Sequence, residues 1–93
     1  MKLSWDEAKR RITLADRGLD FAWAAEAFVG DTTTSEDLRF EYGEKRLVSF
    51  GYIKGRLCVL VWTDRGEYRH VISMRKANER EQNWFSDRIK SSR

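Results

Sequence analysis

Glu44, Arg46, Arg69 and Arg75 are the side chains of this sequence with most to offer chemically. Guanidinium forks pair bidentately with phosphate oxygens and stay charged. A carboxylate such as Glu44 can accept a proton as a general base. Such a set suits metal-independent cleavage of RNA through its own 2′-hydroxyl. The substrate then brings the nucleophile. The protein must help deprotonate it, stabilise charge on the phosphate and help protonate the departing 5′-oxygen. Lys76, a perturbed Arg or a water could supply that last proton. The same four residues also read as cross-strand ion pairs on an exposed face, and the residue pattern alone leaves both readings open.

Other chemistries lack their parts. There is no G-x-x-x-x-G-K-[ST] phosphate loop and no dinucleotide-binding fingerprint. One His and one Cys cannot build a recognisable zinc site, and neither a metal nor a cofactor is expected. A Ser-His-Asp triad would need His70, which alternates with Tyr68 and Ile72 and reads as a structural or edge-facing residue. Cys58 lies in an apolar run and reads as a small buried side chain rather than a nucleophile.

The elements that must position the charged residues lie between Glu44 and Lys76. Lys45–Ile53 alternates, with Val48, Phe50 and Tyr52 on one side and Leu47, Ser49 and Gly51 on the other. Leu57–Thr63 is almost wholly apolar, as in a central strand covered on both faces. Tyr68–Arg75 alternates again, with Tyr68, His70, Ile72 and Met74 against Arg69, Val71, Ser73 and Arg75. Lys54–Gly55 and Asp64–Glu67 supply the turns. The expectation is a three-stranded antiparallel meander, one face or one end of which carries Glu44, Arg46, Arg69 and Arg75.

Helices flank the meander. Ser4-Trp5-Asp6-Glu7 has the form of a capping box, Lys2–Ser4 reads as a short strand, and Gly18 fits the residue after a helix. Between them, Trp5, Ala8, Ile12, Ala15 and Leu19 form the expected buried stripe. Asp20 reads as a second N-cap, followed by a stripe of Phe21, Ala24, Ala25 and Phe28 that stops at Gly30. The two helices should form a hairpin. Thr32–Thr34 could make an edge strand, and Leu38, Phe40 and Tyr42 begin a strand or anchor a loop. Asn78 and Glu81 form another capping box before a last helix with Ala77, Trp84, Phe85 and Ile89 on its apolar side. From Ser86 to Arg93 the chain is expected to fray.

The totals fit this reading. A chain of 93 residues supports one domain, expected to span 1–93. With 41% hydrophobic and 35% charged residues it reads as globular. No apolar run suits a membrane span or signal peptide, so a cytoplasmic protein is expected. Residues 1–40 hold six Lys and Arg against eight Asp and Glu, whereas residues 41–93 hold twelve against seven. The positive charge travels with the sheet and the last helix. That suits an anionic partner such as nucleic acid, or a solvated basic surface.

Read in order, the motifs resemble the BrnT family of type II toxins, small bacterial ribonucleases paired with BrnA antitoxins. They are Trp5-Asp6-Glu7-x-Lys9, Gly18-Leu19-x-Phe21, Glu26-Ala27-x-x-x-Gly30-Asp31, Glu44-Lys45-Arg46, Gly51, Leu57-x-Val59, Thr63-x-Arg65 and Arg69-x-x-Ile72-Ser73-x-Arg75-Lys76-Ala77, with Glu81 after them. The resemblance runs from about Lys2 to Trp84. It implies an α+β, RelE-like fold, with an N-terminal helical hairpin and a C-terminal helix packed on a twisted, mainly antiparallel sheet. It also implies RNA cleavage that inhibits translation. Glu44, Arg46, Arg69 and Arg75 would be catalytic, and Ser73, Lys76 and Lys45 would bind RNA. A cognate BrnA-like antitoxin would be the protein partner, with DNA contacted only through that complex. Many members have Asn and His where this chain has Thr13 or Leu14 and Arg17, and a Tyr where it has Trp84. The alternative is a non-catalytic RNA- or protein-binding module of the same fold, with Trp23 or Trp84 as interface anchors.

Overall fold

The structure is a computed structural model and describes residues 1–39 and 41–91. The elements run β1 (Lys2–Trp5), α1 (Glu7–Arg17), a 3-10 turn (Phe21–Trp23), α2 (Ala24–Val29), β2 (Thr33–Glu36), β3 (Leu47–Ile53), β4 (Arg56–Arg65), β5 (Tyr68–Lys76) and α3 (Glu79–Ser91). The strands form one sheet in the order β1-β5-β4-β3-β2. Among the described residues only the β1–β5 pair is parallel. The expected α+β class and the antiparallel meander are both present.

The meander forms for the reasons its sequence offers. Lys54 and Gly55 both take positive φ, 50° and 78°, which gives a two-residue hairpin turn matched to strand twist. β4 is the central strand. Its Leu57, Cys58, Val59 and Leu60 are all buried because both faces of the sheet are covered at that point. One face meets α2 and the 3-10 turn through Phe21, Ala24 and Ala27, packed with Ile53, Cys58, Leu60, Val71 and Met74. The other face meets α3, where Leu57, Val59, Ala77 and Phe85 pack with Val48, Phe50 and Ile89. We call these the α2 face and the α3 face.

α2 lies close to β3 because its contact residues are small. A Cβ built on Gly51 would sit 2.9 Å from both the Cβ and the carbonyl oxygen of Ala27. Ala27, not the expected Ala25, turns inward with Ala24. Trp62 closes the other end of this core. Its indole Nε1 donates to Ser49 Oγ at 2.8 Å, and Ser49 and Thr34 share a hydroxyl hydrogen bond at 2.7 Å. The one fully buried serine on this face is therefore satisfied.

Several local expectations change. Asp6, not Ser4, caps α1, accepting from the Lys9 amide, and Ser4 belongs to β1. Gly18 does end the helix in the left-handed region, its N–H donating to the Leu14 carbonyl. The predicted stripe is buried only at its ends: Leu19 belongs to the core and Trp5 packs against it, but within α1 Ala8 and Ala15 are exposed and Ile12 is 61% exposed. Polar groups fasten this helix instead. Arg10 donates from Nε and Nη2 to the two carboxylate oxygens of Asp20 at 2.8 and 3.0 Å. Arg17 Nη1 donates to the Met74 carbonyl at 2.7 Å. That carbonyl lies on β5 beyond the reach of β1, which pairs only with Tyr68–Val71. Helix α3 continues to Ser91, past the point where fraying was expected. Phe40, Ser92 and Arg93 lie outside the described residues.

Gly51→Ala should lower stability by about 1–3 kcal/mol, because the added methyl has no room. Chemical denaturation measures this, and adding Ala27→Gly should recover part of the loss.

Candidate active site

The placement of the charged residues turns on one irregularity in β5. Val61 pairs with Ser73, yet the next residue, Trp62, pairs with Val71. Ile72 is thus an extra residue, a β-bulge that reverses the alternation of the strand. On its C-terminal side, Ser73 and Arg75 share the α3 face with Val61 and Val59. On its N-terminal side, His70 and Tyr68 take that face, while Val71 and Arg69 turn to the α2 face. Strict alternation would have put Arg69 and Arg75 together; the bulge puts them on opposite sides of the sheet.

Arg69 is accounted for by packing. Its guanidinium carbon lies 4.7 Å from the ring centre of Phe28 and 4.6 Å from that of Trp62. The two rings themselves meet edge-on at 5.4 Å. Lys76 pairs in register with buried Cys58, so it too belongs to the α2 face. Burial pushes the Cys58 thiol up from its ordinary pKa, which keeps it an unreactive core residue.

The α3 face is only half covered. α3 lies over Leu57, Val59 and Phe50, and beyond it the face opens into a groove of about 420 Å³. Val48 and Val61 form its floor, Ser35 and Ser73 line it, and Arg39 and Arg75 stand at its sides. Arg75 is oriented from α3. Its Nη1 and Nη2 donate to the two oxygens of Glu81, both at 2.8 Å. Glu81 also accepts from the Asn78 amide at 2.9 Å, and Asn78 Oδ1 accepts from the Glu81 amide at 2.8 Å. The predicted capping box is therefore also the clamp on Arg75. The guanidinium beside it holds the Glu81 carboxyl well down, from its ordinary 4.5 to about 2. On the opposite wall, Arg39 pairs through Nε with buried Asp37 at 2.9 Å, and Tyr42 donates to the same carboxylate at 3.0 Å. Together these bonds hold the Asp37 carboxyl far below the usual carboxylate range.

A second polar group lies along the same face, at the end where β3 starts and β4 ends. Glu44 sits 3.5 Å from the Arg65 guanidinium. Thr63 Oγ1 donates to the Lys45 carbonyl at 2.7 Å, tying the Glu44–Arg46 segment to β4. Arg46 stacks on the Tyr42 ring at 4.0 Å, and its Nε is buried without a hydrogen-bond partner. His70 is half-buried, pairs in register with Thr63, and shares a hydrogen bond with Ser4 Oγ at 2.8 Å. Burial lowers its pKa from the ordinary value; the field of Arg65 acts in the same direction and that of Glu44 against it. His70, Ser73 and Arg75 therefore lie along one face, next to buried Thr63, with Glu44, Arg46 and Arg65 at one end. Among the described residues no group of three His, Cys, Asp or Glu side chains is placed to hold a metal ion.

With this geometry established, the family comparison is decisive. A family model described as the ribonuclease toxin, BrnT, of type II toxin-antitoxin systems matches residues 5–81. The chain belongs to the BrnT toxin family. A search of curated proteins returns no match. The BrnT match runs from the end of β1 to the first turn of α3. It therefore covers both polar groups and the Arg75–Glu81 clamp, while Trp84 lies beyond it.

Of the residues picked out in the sequence, Glu44, Arg46, Ser73 and Arg75 are brought to one face. Lys45 lies beside Glu44 in the same loop. Arg69 and Lys76 are on the other side. The same face also carries Arg39, Arg65 and His70, which the sequence pattern did not single out for it. The only His of the chain was visible, but its face depended on the bulge. Arg65 stood in the Thr63-x-Arg65 motif, and its pairing with Glu44 depended on the sheet register.

Two outcomes follow. Arg69→Met should lower stability by about 1 kcal/mol through lost cation–π contact and leave RNA cleavage intact. Thermal melting and a cleavage assay on the folded variant check this. For Glu81 the depressed pKa means that its contribution is complete above about pH 4.5 and is lost as pH falls toward 2. The acid-side decline in melting temperature should therefore be steeper in the wild type than in Glu81→Gln.

Proposed function

We propose that this BrnT-family chain is an endoribonuclease that cuts RNA without a metal, by attack of the substrate 2′-hydroxyl on the adjacent phosphate. The observation that carries the proposal is the half-open α3 face, on which a carboxylate, an imidazole and several guanidinium groups line one surface. Family membership supports ribonuclease activity and a protein antitoxin. The face carries groups of the kinds that such a mechanism uses, which supports the reading.

In this reading Glu44 or neutral His70 takes the 2′-hydroxyl proton as the 2′-oxygen bonds to phosphorus. The phosphorus–5′-oxygen bond then breaks, and the leaving oxygen takes a proton from the group that accepted the 2′-hydroxyl proton or from water. The products are a 2′,3′-cyclic phosphate and a 5′-hydroxyl. Arg46, Arg65 and Arg75 offset the charge that grows on the phosphate oxygens, and Ser73 and Lys45 are available to hold the chain in place. Arg69 and Lys76, on the other side of the sheet, have no direct part. The helices and the mainly antiparallel sheet are compatible with a RelE-like fold. Cleavage of messenger RNA would inhibit translation, and a BrnA-like antitoxin would act by covering this face.

One observation favours a second reading. Arg75 is bound bidentately by Glu81, and Arg39 and Arg65 each have a carboxylate partner. A face of paired charges could bind an RNA or an acidic protein without cutting it.

Incubation of purified protein with RNA in excess EDTA separates the two. Cleavage to cyclic-phosphate ends is expected, with Arg75→Ala slowed at least 100-fold, on the scale of one lost transition-state contact. His70→Ala and Glu44→Ala should each slow it about 100-fold or more. Stoichiometric protection of RNA without shortening would favour the binder, and full activity in all three variants would sink the site.

A further inference from the structure

The groove does not end at Arg75. It continues past Phe50 and Ser35 into a hollow of about 370 Å³ lined by Ser35, Phe50, Arg80, Glu81 and Trp84. Trp84 is 45% exposed, an unusual state for the largest apolar side chain on a helix whose neighbouring Phe85 is fully buried. Its ring meets Phe50 at 5.1 Å with the planes tilted by 59°. The Arg88 guanidinium lies 5.5 Å from the Trp84 ring centre. By register, Phe50 lies opposite Val59, and Val59 opposite Arg75. The aromatic pair is thus about two strand spacings from the phosphate-binding candidate, roughly 10 Å.

We infer that the Trp84–Phe50 shelf is a stacking subsite for an unpaired base of the RNA whose backbone lies along the Ser73–Arg75 groove. The inference rests on the ribonuclease reading above and extends it to substrate class: a single-stranded segment, not a duplex. Single-stranded binding combines a positive groove that follows the backbone with aromatic rings on which bases stack. Both features adjoin here and share Phe50. Arg80 and Arg88 border the shelf and Arg75 stands in the adjoining groove, a charge arrangement that complements phosphates on either side of a stacked base. A stacking subsite reads no base edge, so it confers a preference for unpaired and purine-rich RNA rather than for a sequence.

The test uses fluorescently labelled oligoadenylate with 2′-O-methyl riboses, which cannot be cut, and reads anisotropy. Loss of one stacked base should weaken binding roughly 5- to 150-fold in Trp84→Ala, with most of the affinity kept in Trp84→Phe. An oligonucleotide of the same length made wholly of abasic sites should bind the wild type and Trp84→Ala equally. Arg75→Ala should weaken both probes. Equal binding of oligoadenylate by wild type and Trp84→Ala, with Arg75→Ala still impaired, would overturn the shelf and leave the ribonuclease reading standing. So would loss of antitoxin binding alone in Trp84→Ala, which would make the shelf a protein-docking surface. Failure of the wild type to bind either probe or to cut RNA would overturn both. Thermal melts of each variant establish that it is folded.

Discussion

β5 holds one residue more than its partner strand between the Val61–Ser73 and Trp62–Val71 pairs, and both sides of the sheet depend on that surplus. Without it, Val71 and Met74 could not both face α2, because an odd spacing of three residues puts side chains on opposite sides of a regular strand. Both are buried in the same core. The bulge therefore lets one strand serve the α2 core at two points, and it hands the α3 face a different set of residues in between. His70, Ser73 and Arg75 come to one surface because Val71 and Met74 must go to the other. The packing requirement is apolar, and its by-product is polar: the hydroxyl, imidazole and guanidinium groups are gathered where α3 leaves the sheet open.

The charges on that open face are held in pairs. Arg75 rests on Glu81, Arg65 beside Glu44 and Arg39 on Asp37. The Arg75–Glu81 and Arg65–Glu44 pairs, partly open to water, contribute little to stability, typically under about 1 kcal/mol, whereas the Asp37 carboxylate is buried. All three pairs still fix where the guanidinium groups point. A phosphate offered to Arg75 competes with Glu81 for donors, and the exchange costs little because one charge-assisted pair replaces another. Glu81 belongs at once to the cap of α3 and to the clamp on Arg75. The start of the helix and the orientation of the groove cation are thus one structural unit. RNA binding on such a surface should be salt-dependent, since both the phosphate contacts and the pairs they displace are screened.

α1 shows the opposite arrangement. Its apolar side chains Ile12 and Leu14 are exposed, and its attachment comes through Arg10 to Asp20 and Arg17 to the Met74 carbonyl. The Arg17 contact answers a need created by β1. That strand is too short to pair with β5 beyond Val71, and the guanidinium takes up a carbonyl that the sheet leaves open. Arg17, a departure from the family pattern, thus has a structural part to play.

The sequence by itself determined the elements and most of their ends. Alternation gave β3, continuous apolarity gave the central β4, and Lys54–Gly55, Gly18, Asp20 and the Asn78–Glu81 box marked turns and caps. Each of these signals is local, written within a few residues. The ordered motifs also pointed to the BrnT family, which the matched span bears out. Only the tertiary structure decided which charged residues share a surface. The bulge at Ile72 leaves no mark in a strand whose alternation reads cleanly on paper, because it answers to the helices packed on the other face. The exposure of Ile12 and the inward role of Arg10 and Arg17 were hidden for the same reason. A periodic stripe says which residues share one side of a helix, but whether that side meets a core depends on what the rest of the chain brings to it.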